Sequence, residues 1–222
     1  MGLARSMFER TVKPPYVLAR AAAVGALERR AGISTAGHLT PEELGFDGAH
    51  RQRYQPTHWF ALRRILPPRE VGPQDVFVDF GSGMGRVVYQ AAAGYPFARV
   101  AGVELSEQLH RIAEQNIERT RPRLRCQDVQ LVCGDVLAFE IPDDLTVAFF
   151  ANPFGGHIFQ AVVDGLVASL VRRPRRLRVV YVNPVEEQRL LDAGWREVRR
   201  LRGLRPGREW ARSNDVRLYE RG

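Results

Sequence analysis

The run Asp75-Val-Phe-Val-Asp79-Phe80-Gly81-Ser82-Gly83-Met84-Gly85-Arg86 constrains this chain more than any other segment. A short apolar strand ends in an acid and passes through alternating glycines into a helix. Glycine at alternate positions permits positive φ and removes the side chains that would hold a ligand away from the peptide plane. The segment therefore reads as the strand–loop–helix of a nucleotide-type cofactor site in an α/β sheet. A dinucleotide fingerprint places glycine at the first, third and sixth positions, with pyrophosphate on the helix N-terminus. Here the third glycine falls at the fifth position and Arg86 takes the sixth.

Two further strands carry acids at their C-terminal ends. Ala98-Arg-Val-Ala-Gly-Val-Glu104-Leu105-Ser106 ends in Glu104, and Val129-Gln-Leu-Val-Cys133-Gly134-Asp135-Val136 ends in Gly134-Asp135. Ligands of open α/β sheets bind beyond the carboxyl ends of the strands, which puts Glu104 beside the glycine loop. A carboxylate there can accept from both vicinal ribose hydroxyls, each charge-assisted bond being worth roughly 1.5–3 kcal/mol. The competing reading is a solvated acid ahead of a helix capped by Ser106. Asp135 suits the exocyclic amine of adenine.

Three acid-ended strands in this order resemble the class I S-adenosylmethionine-dependent methyltransferases, over about residues 54–184. Asp75 to Gly85 with Val87-Val-Tyr-Gln-Ala-Ala, then Gly102-Val-Glu104, Gly134-Asp135 and Ala151-Asn152-Pro153-Phe154-Gly155, resembles the disruptor-of-telomeric-silencing lysine methyltransferases within that superfamily. That family carries Asn-Asn-Phe-x-Phe after its fourth strand. Asn152-Pro153-Phe154 is also similar to the Asn-Pro-Pro-aromatic loop of amino-group methyltransferases. The resemblance implies a Rossmann-like class I sheet, mostly parallel, with a C-terminal antiparallel strand pair and helices on both faces. It implies S-adenosyl-L-methionine as cofactor, held by Tyr54, Thr57, Asp79, Gly81, Ser82, Gly83, Gly85, Glu104, Leu105, Gly134, Asp135, Val136 and Asn152. Tyr54 and Thr57 fit the lid segment that closes over the methionine end of the cofactor.

Family geometry further implies that Asn152, the Pro153 carbonyl and Phe154 line the acceptor pocket. Displacement at a sulfonium methyl needs alignment above all, and orienting two reactants can supply about 7–11 kcal/mol. The Asn152 carbonyl oxygen can orient an amine without competing as a nucleophile. Removing a proton from a lysine of pKa about 10.4 is a separate requirement. His157 and His58 are the histidines near the expected site, and each is either a base or simply a residue at a helix entrance. The expected reaction is methyl transfer to a nitrogen or oxygen nucleophile, with a small-molecule acceptor as the leading expectation. A protein-lysine acceptor is the alternative favoured by the family, and a non-catalytic cofactor-binding partner subunit is the third reading.

Composition narrows the remaining classes. The chain has 222 residues, 45% of them hydrophobic, enough for one full α/β core. It divides into a helical N-terminal extension or cap, residues 1–50, and a catalytic domain, residues 51–222. Net charge is +8, and the excess is C-terminal: residues 172–222 hold 15 arginines against 7 acids. Arg172, Arg173, Arg175 and Arg176 follow a helix and suit its dipole, and other arginines alternate on half-wet strands. A nucleic-acid surface is therefore not expected. Cys126 and Cys133, read as sharing a strand at ~3.3 Å per residue, stand beyond disulfide reach, as free thiols in a reducing compartment. The Met1-Gly2-Leu-Ala-Arg-Ser6 start matches a short myristoylation pattern and is treated as chance. No apolar run approaches the ~20 residues of a membrane span, and the expected location is cytoplasmic. No metal is expected, because histidine pairs at ligand spacing and Cys-x-x-Cys are absent.

The coarse pattern completes the expectation. A helix is expected over about residues 16–31. A second is expected to be capped by Thr57, with Trp59, Phe60, Leu62, Ile65 and Leu66 as its apolar face, ending before Pro67-Pro68. Ile158, Val162, Leu166 and Leu170 form the core stripe of a helix over residues 156–171. Glu197–Leu201 and Val216–Tyr219 alternate around Gly203, Pro206 and Gly207 as the closing antiparallel pair.

Overall fold

The computed structural model describes residues 13–40, 42–45, 51–202 and 215–222. The Met1–Ser6 pattern and the turn around Gly203, Pro206 and Gly207 lie outside these residues. Helix α1 (Lys13–Ala31) precedes α2 (Ala61–Ile65). Strands and helices then alternate: β1 (Val76–Phe80), α3 (Arg86–Gly94), β2 (Arg99–Glu104), α4 (Glu107–Thr120), β3 (Val129–Cys133), β4 (Val147–Phe150), α5 (Gly156–Arg172) and β5 (Leu177–Val182). A short α6 (Glu187–Asp192) leads into β6 (Arg196–Leu201) and β7 (Val216–Arg221).

The described residues form a seven-stranded sheet in the order β3-β2-β1-β4-β5-β7-β6. β1 to β5 run parallel, while β7 is antiparallel to both β5 and β6. The order reverses between β1 and β4, which opens a crevice at the carboxyl edge of the central strands. Successive β1 residues feed opposite cores: Phe77 packs with Val87, Val88, Ala91 and Ile117 on one face, and Val78 and Phe80 pack with Ile158, Phe159, Val162 and Leu166 on the other. Helices thus cover both faces, and the α5 stripe is core as its period demands. Each large side chain fully removed from water here contributes roughly 1.5–3 kcal/mol. At the crevice end, Phe80 stacks on Phe150 at 5.0 Å between centroids, and Phe150 meets Phe154 and Phe159 edge-on. This aromatic platform supports the loop that follows β4.

Three local expectations are corrected. Thr57 does not cap α2: the capping position is Phe60, without a side-chain bond, and Trp59 lies in the preceding turn. The backbone carbonyl of Thr57 is instead taken by Arg86, so a tertiary bond displaces a local one. Cys126 lies before β3 rather than on it, its buried thiol directed at the Ala98 and Asp128 carbonyls. Of the C-terminal arginines, many are held by acids: Arg199 by Glu70, Arg200 and Arg217 by Asp215, and buried Arg178 by Asp75. Of these acids Glu70 and Asp75 come from outside the C-terminal segment and offset two of its eight excess positive charges. Among the described residues no helix is long and apolar enough to cross a membrane.

Candidate active site

The glycine loop is built by the end of β1 folding back on β2. The Gly81 and Ser82 amides both donate to the Val103 carbonyl, at 2.9 and 3.0 Å. Gly81, Gly83 and Gly85 all take positive φ, a conformation that strains any side chain. Their neighbours are also too close for a Cβ. One on Gly81 would stand 2.3 Å from Pro153, one on Gly83 would stand 2.4 Å from the Tyr54 ring, and one on Gly85 would press on Ala113. The loop is therefore closed on one flank by the segment after β4 and roofed by the Tyr54 segment.

Glu104 ties the two strand ends together. Its Oε2 accepts from the Gly83 amide at 2.8 Å and its Oε1 from the Ser106 amide at 2.9 Å, while Ser106 caps α4 through Leu109. The Ser106 cap exists as the alternative reading proposed, but Glu104 is buried rather than solvated. Burial raises its pKa, and the two amide bonds oppose that rise. Asp79, at the end of β1, is more constrained. It is fully enclosed, burial first and the Glu104 charge second push its pKa well above 3.8, and among the described residues nothing bonds its Oδ1. A buried acceptor left unpaired costs about 1–3 kcal/mol, so this atom calls for a cationic or donor group from a ligand.

The crevice brings together Tyr54, Thr57, Asp79, Gly81, Ser82, Gly83, Glu104, Leu105, Gly134, Asp135, Val136, Asn152 and Phe154, all of which line it. Gly85 does not: it packs under the loop against Ala113 at the start of α3. His58 and His157 also stand outside the lining. His58 Nδ1 accepts the Phe60 amide at 3.3 Å, and His157 is exposed in the first turn of α5. The lid loop from Arg51 to Thr57 was legible as a segment, whereas Leu44, Arg86, Val87, Leu109 and Ile158, which also line the crevice, were not singled out as part of it. Only the Arg86 irregularity in the glycine spacing could have drawn attention to one of them.

The roof spans both walls. Arg51 pairs with Asp135 at 2.8 Å, the Gln52 amide donates to the Pro153 carbonyl at 3.0 Å, and Tyr54 Oη donates to the Thr35 carbonyl at 2.8 Å. The Pro153 carbonyl expected to face the acceptor is thus already bonded to the lid. Asn152 adopts φ 54°, one of two non-glycine residues in the left-handed region among the described residues, in the loop after β4. Such strain costs on the order of 1–3 kcal/mol and tends to persist where a side chain must be aimed.

Sheet order, acid-ended strands and the glycine loop together make the fold and cofactor crevice of the class I S-adenosylmethionine-dependent methyltransferases. Residues 50–132 match the family model described as histone methylation protein DOT1, and the core is similar to that lysine methyltransferase family. A Drosophila melanogaster "Histone-lysine N-methyltransferase, H3 lysine-79 specific" is 28% identical over 130 residues, 55% of this chain and 7% of that protein. A Saccharolobus islandicus "Protein-lysine N-methyltransferase" is 30% identical over 97 residues, 44% of this chain and 58% of that protein. The chain therefore spans less than two thirds of each of these relatives. Among solved structures, a precorrin 8w decarboxylase from Methanobacterium thermoautotrophicum superposes with a TM-score of 0.50 at 25% identity, covering 76% of this chain and 92% of that one.

The lining fits this cofactor. The unpaired Asp79 oxygen would take its α-ammonium, Glu104 its ribose hydroxyls, and Asp135, which shares its carboxylate with Arg51, its adenine amine. Glu104→Ala is expected to weaken S-adenosylhomocysteine binding by about 1.5–3 kcal/mol, roughly ten- to a hundredfold. Calorimetry on the folded variant checks this, and unchanged affinity would remove Glu104 from the ribose.

Proposed function

We propose that this chain transfers the methyl group of S-adenosylmethionine to the side-chain amine of a lysine in a protein. The observation that carries the reading is the match of residues 50–132 to the DOT1 family, supported by two relatives whose names are those of lysine methyltransferases. When bound, the cofactor supplies a methyl group on a positively charged sulfur that departs as a neutral thioether. The chain's own contribution is then positional. Asp79 and Glu104 hold the two ends of the ligand, the Tyr54 roof excludes water, and the Asn152 carbonyl orients the incoming amine over the Phe154 ring. Alignment of this kind supplies most of what such a displacement requires. The carboxylates of the lining are buried beside the glycine loop or, for Asp135, paired, and the histidines stand outside it. The amine therefore sheds its proton to solvent before it enters.

A small metabolite with a nitrogen or oxygen nucleophile is the second reading, favoured by the superposition on an enzyme whose name specifies a small-molecule substrate. Purified protein given methyl-labelled cofactor and fractionated cell extract separates the two. Label on protein, localised to methylated lysine by mass spectrometry, is the expected result. Label confined to small molecules would transfer the assignment to the second reading, and label on nucleic acid would overturn both.

A further inference from the structure

Arg86 occupies the position where a dinucleotide fingerprint has its last glycine, and its side chain is bonded within the protein. It is only 5% exposed. Its guanidinium is spent on three elements: Nη2 on Glu28 Oε1 at 2.6 Å, Nε on Thr35 Oγ1 at 2.7 Å, and Nη1 on the Thr57 carbonyl at 2.8 Å. Its Cζ lies 5.4 Å from the centre of the Trp59 ring. Glu28 is likewise buried, on α1, and accepts from the Thr35 amide. The Thr35 carbonyl in turn receives Tyr54 Oη, and the Tyr54 ring rests on Gly83. Both lid residues are therefore tied to α1 and α3 through one buried ion pair, in addition to the Arg51–Asp135 and Gln52–Pro153 ties of the same segment.

We infer that the Arg86–Glu28 pair is a positioning device for the cofactor lid, through which α1 holds Tyr54 and the Thr57 carbonyl over the glycine loop. This rests on the cofactor reading above. Arg86 and Glu28 act through Tyr54 and Thr57 and are not catalytic residues. The contacts concern the loop side of the crevice, where Asp79 waits for the ammonium, and not the Asp135 side. Breaking the pair should therefore loosen the methionine end of the ligand and spare the adenosine end.

The test compares wild type with Glu28→Gln, Arg86→Met, the double variant, and Arg178→Met, which severs another buried arginine pair outside the crevice. Removing one partner of a buried pair strands the other charge, so each single variant loses stability, and the double variant recovers part of it by stranding none. Calorimetry with S-adenosylhomocysteine and with adenosine reads the two ends of the site separately. The expected result is a loss of about tenfold or more for S-adenosylhomocysteine in the double variant, with adenosine within about threefold and both ligands within about threefold in Arg178→Met. Recovery of S-adenosylhomocysteine affinity together with melting temperature in the double variant would overturn the inference, because the pair would then be a fold element only. Parallel loss of both ligands would do the same. Wild type that binds neither ligand would overturn the cofactor reading itself, a failure visible before any variant is made. If the single variants do not fold, the double variant and Arg178→Met decide alone.

Discussion

Asp79→Asn is expected to stabilise the cofactor-free protein at alkaline pH and to weaken S-adenosylmethionine binding about a hundredfold. Opposite signs in the two measurements are what distinguish a ligand-directed acid from a structural one. Asp79 is buried in the lining of the crevice with one oxygen unbonded, and its pKa is raised by burial and then by Glu104. A carboxyl that holds its proton more tightly folded than unfolded favours the folded chain at low pH. That advantage is lost as pH climbs from the ordinary 3.8 through the raised value. Above this window the enclosed charge is a net cost, which asparagine removes while keeping shape. Each kcal/mol recovered raises the midpoint by roughly 2–4 °C for a chain of this size. The ligand ammonium, by contrast, requires the ionised carboxylate, so wild-type affinity rises with pH across the same window and the asparagine variant shows no such rise. Calorimetry and thermal melts on one preparation at several pH values check both arms. Equal affinity in the two proteins would remove Asp79 from the cofactor contact.

Asn152→Gly is expected to lower methyl transfer about a hundredfold while leaving cofactor affinity within about threefold. Glycine is chosen because Asn152 sits at φ 54°, where alanine would add backbone strain of its own. The substitution thus deletes the side chain without disturbing the turn. A contact that orients the acceptor acts mainly on turnover, whereas one that only shapes the loop would lower melting temperature, cofactor affinity and rate together. Full turnover on the true acceptor would place acceptor orientation on another segment.

Local chemistry made a large part of this molecule legible in its sequence. The apolar strand of β1, the glycines after it and the acids ending β2 and β3 are short-range signals, because strand burial, positive φ and helix entry are set within a few residues. The α5 stripe and the β6–β7 pair followed from their periods in the same way. About half of the crevice-lining residues were readable, those at the strand ends because the fold places the carboxyl ends of the parallel strands at one edge. Tertiary structure alone decided the rest. Thr57 reads as a helix cap until a guanidinium from 29 residues away claims its carbonyl. Asp135 reads as free for adenine until Arg51, 84 residues distant, pairs with it. Nothing in the periodicity of α1 marks Glu28 as the partner of Arg86, 58 residues on. A buried charge takes whichever counter-charge the packed chain delivers to it, and that delivery depends on how α1, the lid and the glycine loop meet in space.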